Sequence, residues 1–200
     1  MKKTNIFAVG LCLLMVISGC SSKDTATPTQ VTTAFLDAYS QRNNALIAEN
    51  STWENYDATA LELREEDYMD GIDHDLQKKV YDKMLAFHHK EEGETIDEDH
   101  AAVTVTLTLY DFEPVVEKGL KAAAKKTEEL SQKESIRDDE IQTEILKVLF
   151  ENMEKAEQNK TVTVTVNLVK KGSEWKVSND NNDLSDALLQ NTKAIQSFAE

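Results

Sequence analysis

Two segments of the chain alternate strictly between aliphatic and polar side chains. Residues 102–110 read AVTVTLTLY, and residues 161–169 read TVTVTVNLV. Because successive side chains of a strand point to opposite faces, each segment predicts a strand with one aliphatic and one threonine-rich face. The flanking segments do not repeat, so we interpret the two runs as neighbouring central strands of one antiparallel sheet. The aliphatic face is expected to pack on helices, and the other face to be wet or to line a shallow concavity.

Apolar side chains at three- to four-residue spacing predict helices before, between and after these strands. The first is expected to start near Pro28, because Thr27 can cap it and proline suits the first helical position. Asn43 and Asn44 are expected to end or kink it. A second helix is expected after Asp73, another favourable N-cap. Further helices are predicted at about 113–130, 135–156 and 184–198.

Two weaker strand signals complete the predicted sheet. Residues 88–96 are polar enough for an edge strand, and residues 174–178 (EWKVS) are typical of a return strand after a turn that contains Gly172. Residues 49–71 lack a clear period and are interpreted as helical pieces with a loop. The predicted fold class is therefore α+β: a curved antiparallel sheet of about four strands packed against several helices, with a long helical insert between the central strands.

The first nineteen residues form a targeting segment. A short basic region (residues 1–3) precedes an apolar run at residues 6–17, which is shorter than the about 20 residues that a bilayer span needs. Residues 17–20 (ISGC) resemble the bacterial lipobox. The resemblance implies cleavage between Gly19 and Cys20. It also implies that the Cys20 thiol receives a diacylglyceryl group with fatty acyl chains such as palmitate.

The chain therefore divides into three predicted segments. Residues 1–19 are a lipoprotein signal peptide, residues 20–30 are the lipidated cysteine and a flexible tether, and residues 31–200 are a single extracytoplasmic α+β domain. Two acyl chains are enough for stable anchoring. The first expected partner is thus the membrane, through the lipid on Cys20, and the expected location is the extracytoplasmic face of the bacterial cell membrane.

Cysteine usage and charge exclude several classes of function. Cys12 leaves with the signal and Cys20 is alkylated, so the domain has no thiol for a disulfide, a cysteine-ligated metal or a cysteine nucleophile. Removing residues 1–19 takes away two lysines and no acid, which moves the formal charge from −15 to −17. A binder of phosphates needs a basic face. We therefore expect no nucleic-acid partner.

Three pieces of the chain carry a family resemblance. The first helix has the form P-x-x-V-x-x-x-F-L-x-A-Y, the strand at residues 102–109 is rich in Thr and Val, and the last strand reads G-x-x-W-K-V. These pieces resemble the nuclear transport factor 2-like, or cystatin-like, fold. Over nearly its full mature length the chain is similar to uncharacterised lipoproteins, mainly from Gram-positive bacteria. The residues that match are Pro28, Val31, Phe35, Leu36, Ala38, Tyr39, Gly172, Trp175, Lys176 and Val177.

This resemblance implies more about the fold than about chemistry. Many members of the superfamily bind small ligands or partners in the concave sheet, and a few are enzymes. No catalytic motif of those enzymes matches the chain, so the resemblance implies no activity here. We single out Tyr39, Tyr110 and Trp175 as candidate cavity-lining residues, each equally compatible with a place in the core.

The polar clusters do not form a recognisable catalytic or metal-binding motif. His89 and His100 would have to pair across a hairpin to share an ion, and adjacent His88 and His89 point to opposite faces of a strand. Residues 179–183 (NDNND) lack the glycine and the distant glutamate of a calcium loop, and we interpret them as a turn with Asp183 as an N-cap. No metal, no other cofactor and no catalytic residue is therefore predicted.

Three functions remain open at this point. The preferred one is a non-catalytic, membrane-anchored domain that binds a small ligand or an envelope protein. The second is a cavity enzyme of acid–base type on the same fold, which would need a carboxylate beside a tyrosine in one pocket. The third is a purely structural envelope lipoprotein.

Overall fold

A computed structural model of the chain describes residues 25–54, 56–57, 63–132 and 136–196. The predicted signal peptide, Cys20 and residues 21–24 of the predicted tether lie outside these residues. The helices are α1 (Pro28–Ser40), α2 (Asn44–Asn50), α3 (His74–Leu85), α4 (Glu113–Ser131), α5 (Asp138–Met153) and α6 (Asn182–Gln196), with a short 3₁₀ turn at Glu65–Asp67. The strands are β1 (Phe87–Asp97), β2 (His100–Asp111), β3 (Glu157–Lys171) and β4 (Glu174–Val177).

The four strands form one antiparallel sheet in the order β1-β2-β3-β4. β2 and β3 are the central pair, and α4 and α5 lie between them in the chain. Bulges in the register between Glu91 and Gly93 and between Leu109 and Tyr110 bend the strands locally. The α+β prediction is confirmed, including the helical insert between the central strands.

The alternating patterns of β2 and β3 are in register. Val103 lies opposite Val166 and Val105 opposite Val164, whereas Thr106 lies opposite Thr163, at 3.3 Å between the two hydroxyl oxygens. Aliphatic side chains therefore share one face of the sheet and threonines share the other. A shift by one residue would exchange the faces of a whole strand, so the pattern specifies the pairing.

The aliphatic face of the sheet carries the main core. Its central side chains are fully buried, and α1 and α6 cover them with residues such as Phe35, Leu36, Leu184 and Leu188. A second, smaller core lies where α3 and α5 meet the ends of the strands, around Val80, Met84, Phe112, Met153 and Ala156. The threonine face of β3 is exposed.

Local signals place α1 as predicted. Thr27 and Gln30 form a capping box, and Pro28 occupies the first turn. At the other end the N–H of Asn43 donates to the carbonyl of Ala38 (2.9 Å), and Arg42 adopts a left-handed φ of 55°. This is the Schellman arrangement, which usually uses glycine at that position.

Two boundaries differ from the predictions. β3 begins at Glu157 instead of 161, because its backbone continues to pair with β2 where its side chains no longer alternate in polarity. The prediction that Asp183 caps the last helix is wrong. α6 begins at Asn182, and the N–H of Ser185 donates to the carbonyl of Asn181 (3.1 Å), so Asn181 is the residue at the cap.

Two substitutions on opposite faces of β2 test whether its aliphatic face lies in the core. Replacing the fully buried Leu107 by alanine is expected to lower the free energy of unfolding by about 2–5 kcal/mol, because a cavity remains in the core. Thr106→Ala, one residue away on the opposite face, should cost about 1 kcal/mol or less. Urea denaturation of both variants measures the difference, and equal losses would contradict the assignment of the faces.

Candidate binding groove

Two surface depressions meet at the end of the sheet where the β1–β2 and β3–β4 hairpins turn. They share Val169 and Ser178 and together form what we call the rim groove. The larger has a volume of about 770 Å³, and it is lined by Thr52, Trp53, Glu54, Tyr56, Val169, Lys171, Ser178, Asn179 and Ser185. The smaller has a volume of about 380 Å³, and it is lined by Thr95, Asp97, His100, Ala101, Ala102, Asn167, Leu168, Val169, Ser178 and Asp180.

The chain after α2 builds one wall of the groove. Ser51 bridges to Val177 in parallel, and the N–H of Thr52 donates to the carbonyl of Val177 (2.8 Å). The Ser51 hydroxyl donates to the carbonyl of Ile47 (2.7 Å) and accepts from the N–H of Trp53 (3.2 Å). This short segment therefore extends the sheet beyond β4 and fixes the backbone of Trp53.

The Trp53 side chain is held on several sides. Its indole N–H donates to the carbonyl of Ser178 (2.8 Å). Its ring makes edge contacts with Phe35 and Tyr56, each at 5.0 Å between ring centroids, and with Tyr39 at 6.4 Å. Aromatic pairs in such geometry contribute about 0.5–1.5 kcal/mol each beyond their burial. Trp53 is only partly buried, so the uncovered part of a fixed indole borders the groove.

Asn181 supports the wall of the groove at Ser178. β4 ends at Val177, and directly after it the N–H of Ser178 still donates to the carbonyl of Asn167 on β3 (2.9 Å). The Asn181 side chain adds further bonds there: its oxygen accepts from the N–H of Asn167 (2.7 Å), and its amide donates to the carbonyls of Asn167 (2.9 Å) and Ser178 (2.8 Å). Asn181 is buried, and its bonds tie Ser178 at the rim to β3.

At the groove, two tyrosine rings pack together: Tyr39 is buried, and Tyr56 is partly buried and borders the groove. Tyr39 and Tyr56 stack at 5.7 Å between centroids and share a hydrogen bond. Burial raises the pKa of the Tyr39 hydroxyl well above its usual range, and the hydrogen bond with Tyr56 raises it further. Burial also raises the pKa of Tyr56, although the bond from Tyr39 opposes this shift. Both hydroxyls therefore keep their protons well above physiological pH.

A second polar arrangement links α1 to β1. The Nε2 atom of His89 lies 3.1 Å from Asp37 Oδ1, and its Nδ1 atom lies 3.0 Å from Glu91 Oε1. The Thr33 hydroxyl also donates to Glu91 (2.8 Å). The His89 side chain is 12% exposed, and the described groove does not include it.

The three candidate cavity-lining residues lie in three different surroundings. Tyr39 is buried in the aromatic cluster behind the groove. Trp175 is 8% exposed in the main core and borders a separate depression of about 310 Å³ near Thr25. Tyr110 lies against the second core, with Lys83 Nζ 5.1 Å from its ring centre. The described cavities do not bring the three side chains together.

The sequence reasoning did not select Trp53 and Tyr56 as site residues. They lie in a segment without a helical or strand period, and their position depends on the pairing of Ser51 with Val177, which is 126 residues away in the chain. The available signal was two aromatic residues three apart in an otherwise polar, irregular segment, a place where binding residues are often found.

His74, His89 and His100 lie on different elements, and His89 contacts the carboxylates of Asp37 and Glu91. His89 pairs with Leu107 in the β1–β2 register, whereas His100 lies at the tip of that hairpin opposite Asp97. His74 stacks on Tyr68 at 4.4 Å between ring centres. Within residues 25–54, 56–57, 63–132 and 136–196, no three His, Cys, Asp or Glu side chains are grouped so that they could hold a metal ion.

The fold and the groove together define a two-layer α+β domain with an open surface site. A scan against protein-family models finds no match, and a search of the curated proteins finds none. Among solved structures, the chain is similar to a candidate lipoprotein, ycdA from Bacillus subtilis, with a TM-score of 0.41 and 17% identity. The match covers 58% of this chain and 37% of that protein, so the chain spans little more than a third of its length.

This likeness does not bear on the nuclear transport factor 2-like assignment, which stays a prediction. Of the helices in the described residues, none combines the length and the apolar character needed to cross a bilayer.

The pair of Tyr39 and Tyr56 predicts a loss of stability at alkaline pH. In the unfolded chain a tyrosine ionises near its ordinary pKa of 10, whereas Tyr39 keeps its proton in the fold. Unfolding above pH 10 therefore releases a proton, and the free energy of unfolding should fall by up to about 1.4 kcal/mol per pH unit through Tyr39. In Tyr39→Phe the fall above pH 10 should be shallower. Urea denaturation from pH 8 to 11 checks this, and parallel curves for both proteins would contradict it.

Proposed function

We propose that the mature chain is a lipid-anchored, non-catalytic binding domain on the extracytoplasmic face of a bacterial cell membrane. In this proposal the rim groove takes a small ligand or a segment of an envelope protein. The lipobox-like residues 17–20 support the anchoring. The groove supports binding, and it is the observation that carries the proposal.

The groove is suited to binding because its walls are held in place without a ligand. Trp53 is fixed by its hydrogen bond and ring contacts, and Ser178 is fixed by its bonds with Asn181 and Asn167. A site that is already ordered loses little conformational entropy when a ligand arrives. Concave surfaces with aromatic side chains and a few polar groups are the usual sites of ligand binding.

The position of the groove also fits a membrane-anchored protein. The Thr29 hydroxyl and N–H donate to Glu94 at 2.6 and 3.0 Å, which holds the start of α1 beside the β1–β2 hairpin. The rim groove lies at the same end of the sheet. The eight residues from Cys20 to Thr27 can span at most about 28 Å. The groove would therefore work close to the membrane surface.

One observation favours the alternative, an acid–base enzyme. His89 lies between Asp37 and Glu91, and a histidine oriented by carboxylates is a frequent general acid or base. The described groove does not include this histidine, and the Tyr39 hydroxyl pairs with Tyr56 instead of a carboxylate. We therefore rank binding above catalysis. A structural spacer is the third option, and it requires no ligand.

If Cys20 carries the lipid anchor, the Cys20→Ala variant should lose lipid modification. In the host, this variant should carry no fatty acyl chain, whereas the wild-type protein should be labelled by radioactive palmitate and be digested by protease added to intact protoplasts. Cys12→Ala, in the segment that is removed, is the matched control and should behave as wild type. Equal palmitate labelling of the wild type and Cys20→Ala would contradict lipid anchoring.

The binding half predicts a defined mass adduct. Native mass spectrometry of the mature chain in detergent, after incubation with an envelope extract, should show an adduct that Trp53→Ala weakens and Trp175→Phe retains. If the mass of the bound ligand stays the same after long incubation, the protein binds without catalysis. If the bound ligand is converted to a species of another mass, the result favours the acid–base enzyme. Bare protein at every concentration would contradict a binding function and favour a spacer.

A further inference from the structure

The lining of the larger depression indicates the chemistry of its ligand. Besides Trp53 and Tyr56, four neutral hydrogen-bonding side chains border it: Thr52, Ser178, Asn179 and Ser185. The charged side chains among its described residues are Glu54 and Lys171, one of each sign. A site with balanced charge and many neutral donors and acceptors suits a ligand that is uncharged and rich in hydroxyl or amide groups.

The aromatic side chains of the groove, Trp53 and Tyr56, further restrict the class of ligand. The ring of Trp53 is large and apolar, and its rotation is blocked by the bond to Ser178 and by Phe35. A rigid aromatic surface next to hydroxyl and amide groups matches a sugar ring, which has an apolar C–H face and a polar edge. The ring face would lie on the aromatic wall, and the edge hydroxyls would meet Thr52 and Asn179.

The length of the groove favours a chain of sugars over a single one. The second depression continues from Val169 and Ser178 toward Thr95 and Ala102 on the threonine face. The combined groove thus crosses the end of the sheet, and its open form suits an extended ligand. The net charge of −17 on the mature chain, and Asp97 and Asp180 in the second depression, disfavour an anionic polymer.

We propose that the rim groove binds an uncharged oligosaccharide, with one sugar ring on Trp53. This inference rests on the proposed binding function and specifies its ligand class. The mature protein reports on it directly, because it has two tryptophans, Trp53 and Trp175. In Trp175→Phe the emission comes from Trp53 alone.

The test is a fluorescence titration of the lipidated mature Trp175→Phe protein in detergent micelles. The probe is the β-1,4-linked hexamer of N-acetylglucosamine, with the monomer for comparison. We expect a saturable change of Trp53 emission with the hexamer and a much weaker response to the monomer. Adding Thr52→Val and Asn179→Ala should weaken hexamer binding about tenfold, the equivalent of 1.4 kcal/mol. Thr163→Val, exposed on β3 outside the groove, should leave the affinity unchanged.

The outcomes separate this inference from the function on which it rests. No response to the hexamer, together with a Trp53 response to envelope peptides, would overturn the saccharide and keep the binding function. No response to the hexamer or to any envelope fraction would overturn both. A third outcome is that Thr163→Val weakens hexamer binding as much as Thr52→Val and Asn179→Ala do. The sugar would then bind elsewhere on the protein, and the groove assignment would be overturned.

Discussion

The pairing of β2 with β3 is the constraint on which the rest of the structure depends. Over most of their length aliphatic residues face aliphatic residues and threonines face threonines. The aliphatic side of this pair is the floor on which α1 and α6 pack, and its register determines which residues reach each end of the sheet. Because the side-chain period of a strand is two, an error of one residue would place threonine hydroxyls in the core.

The groove is a consequence of how this sheet ends. β4 has only four residues, so the edge of β3 needs other partners beyond Val177. Ser178 and the Asn181 side chain bond to β3 at Asn167, and the segment at Ser51 makes a short parallel bridge to Val177 at the end of β4. Both of these pairings are irregular. The segments that make them line the larger depression of the rim groove, with Thr52 and Trp53 from one and Ser178 and Asn179 from the other. The aromatic cluster of α1 supports Trp53 from behind, so the core and the site share side chains.

The regular elements could be predicted from the sequence because their signals are local. Alternation identified β2 and β3, and Thr27 with Pro28 identified the start of α1. The groove could not be predicted in the same way, because Trp53 is positioned by a carbonyl 125 residues away, at Ser178. The start of β3 was missed for a related reason: backbone pairing with β2, not side-chain polarity, extends that strand to Glu157. Tyr39 was selected as cavity lining, and it supports the groove from the buried side.

The helical insert separates the two central strands in the chain, so their pairing requires a long loop to close. Thr106 and Thr163 touch although 57 residues separate them, so direct closure of that loop would be entropically costly. α4 and α5 pack on each other as an antiparallel pair, with Gly119 allowing close approach to Leu149 and Asn152. Once this local pair has formed, it returns the chain to the end of β2 and shortens the effective loop. The insert therefore places a locally formed helix pair between two strands that are distant in sequence, which reduces the loop-closure cost of their pairing.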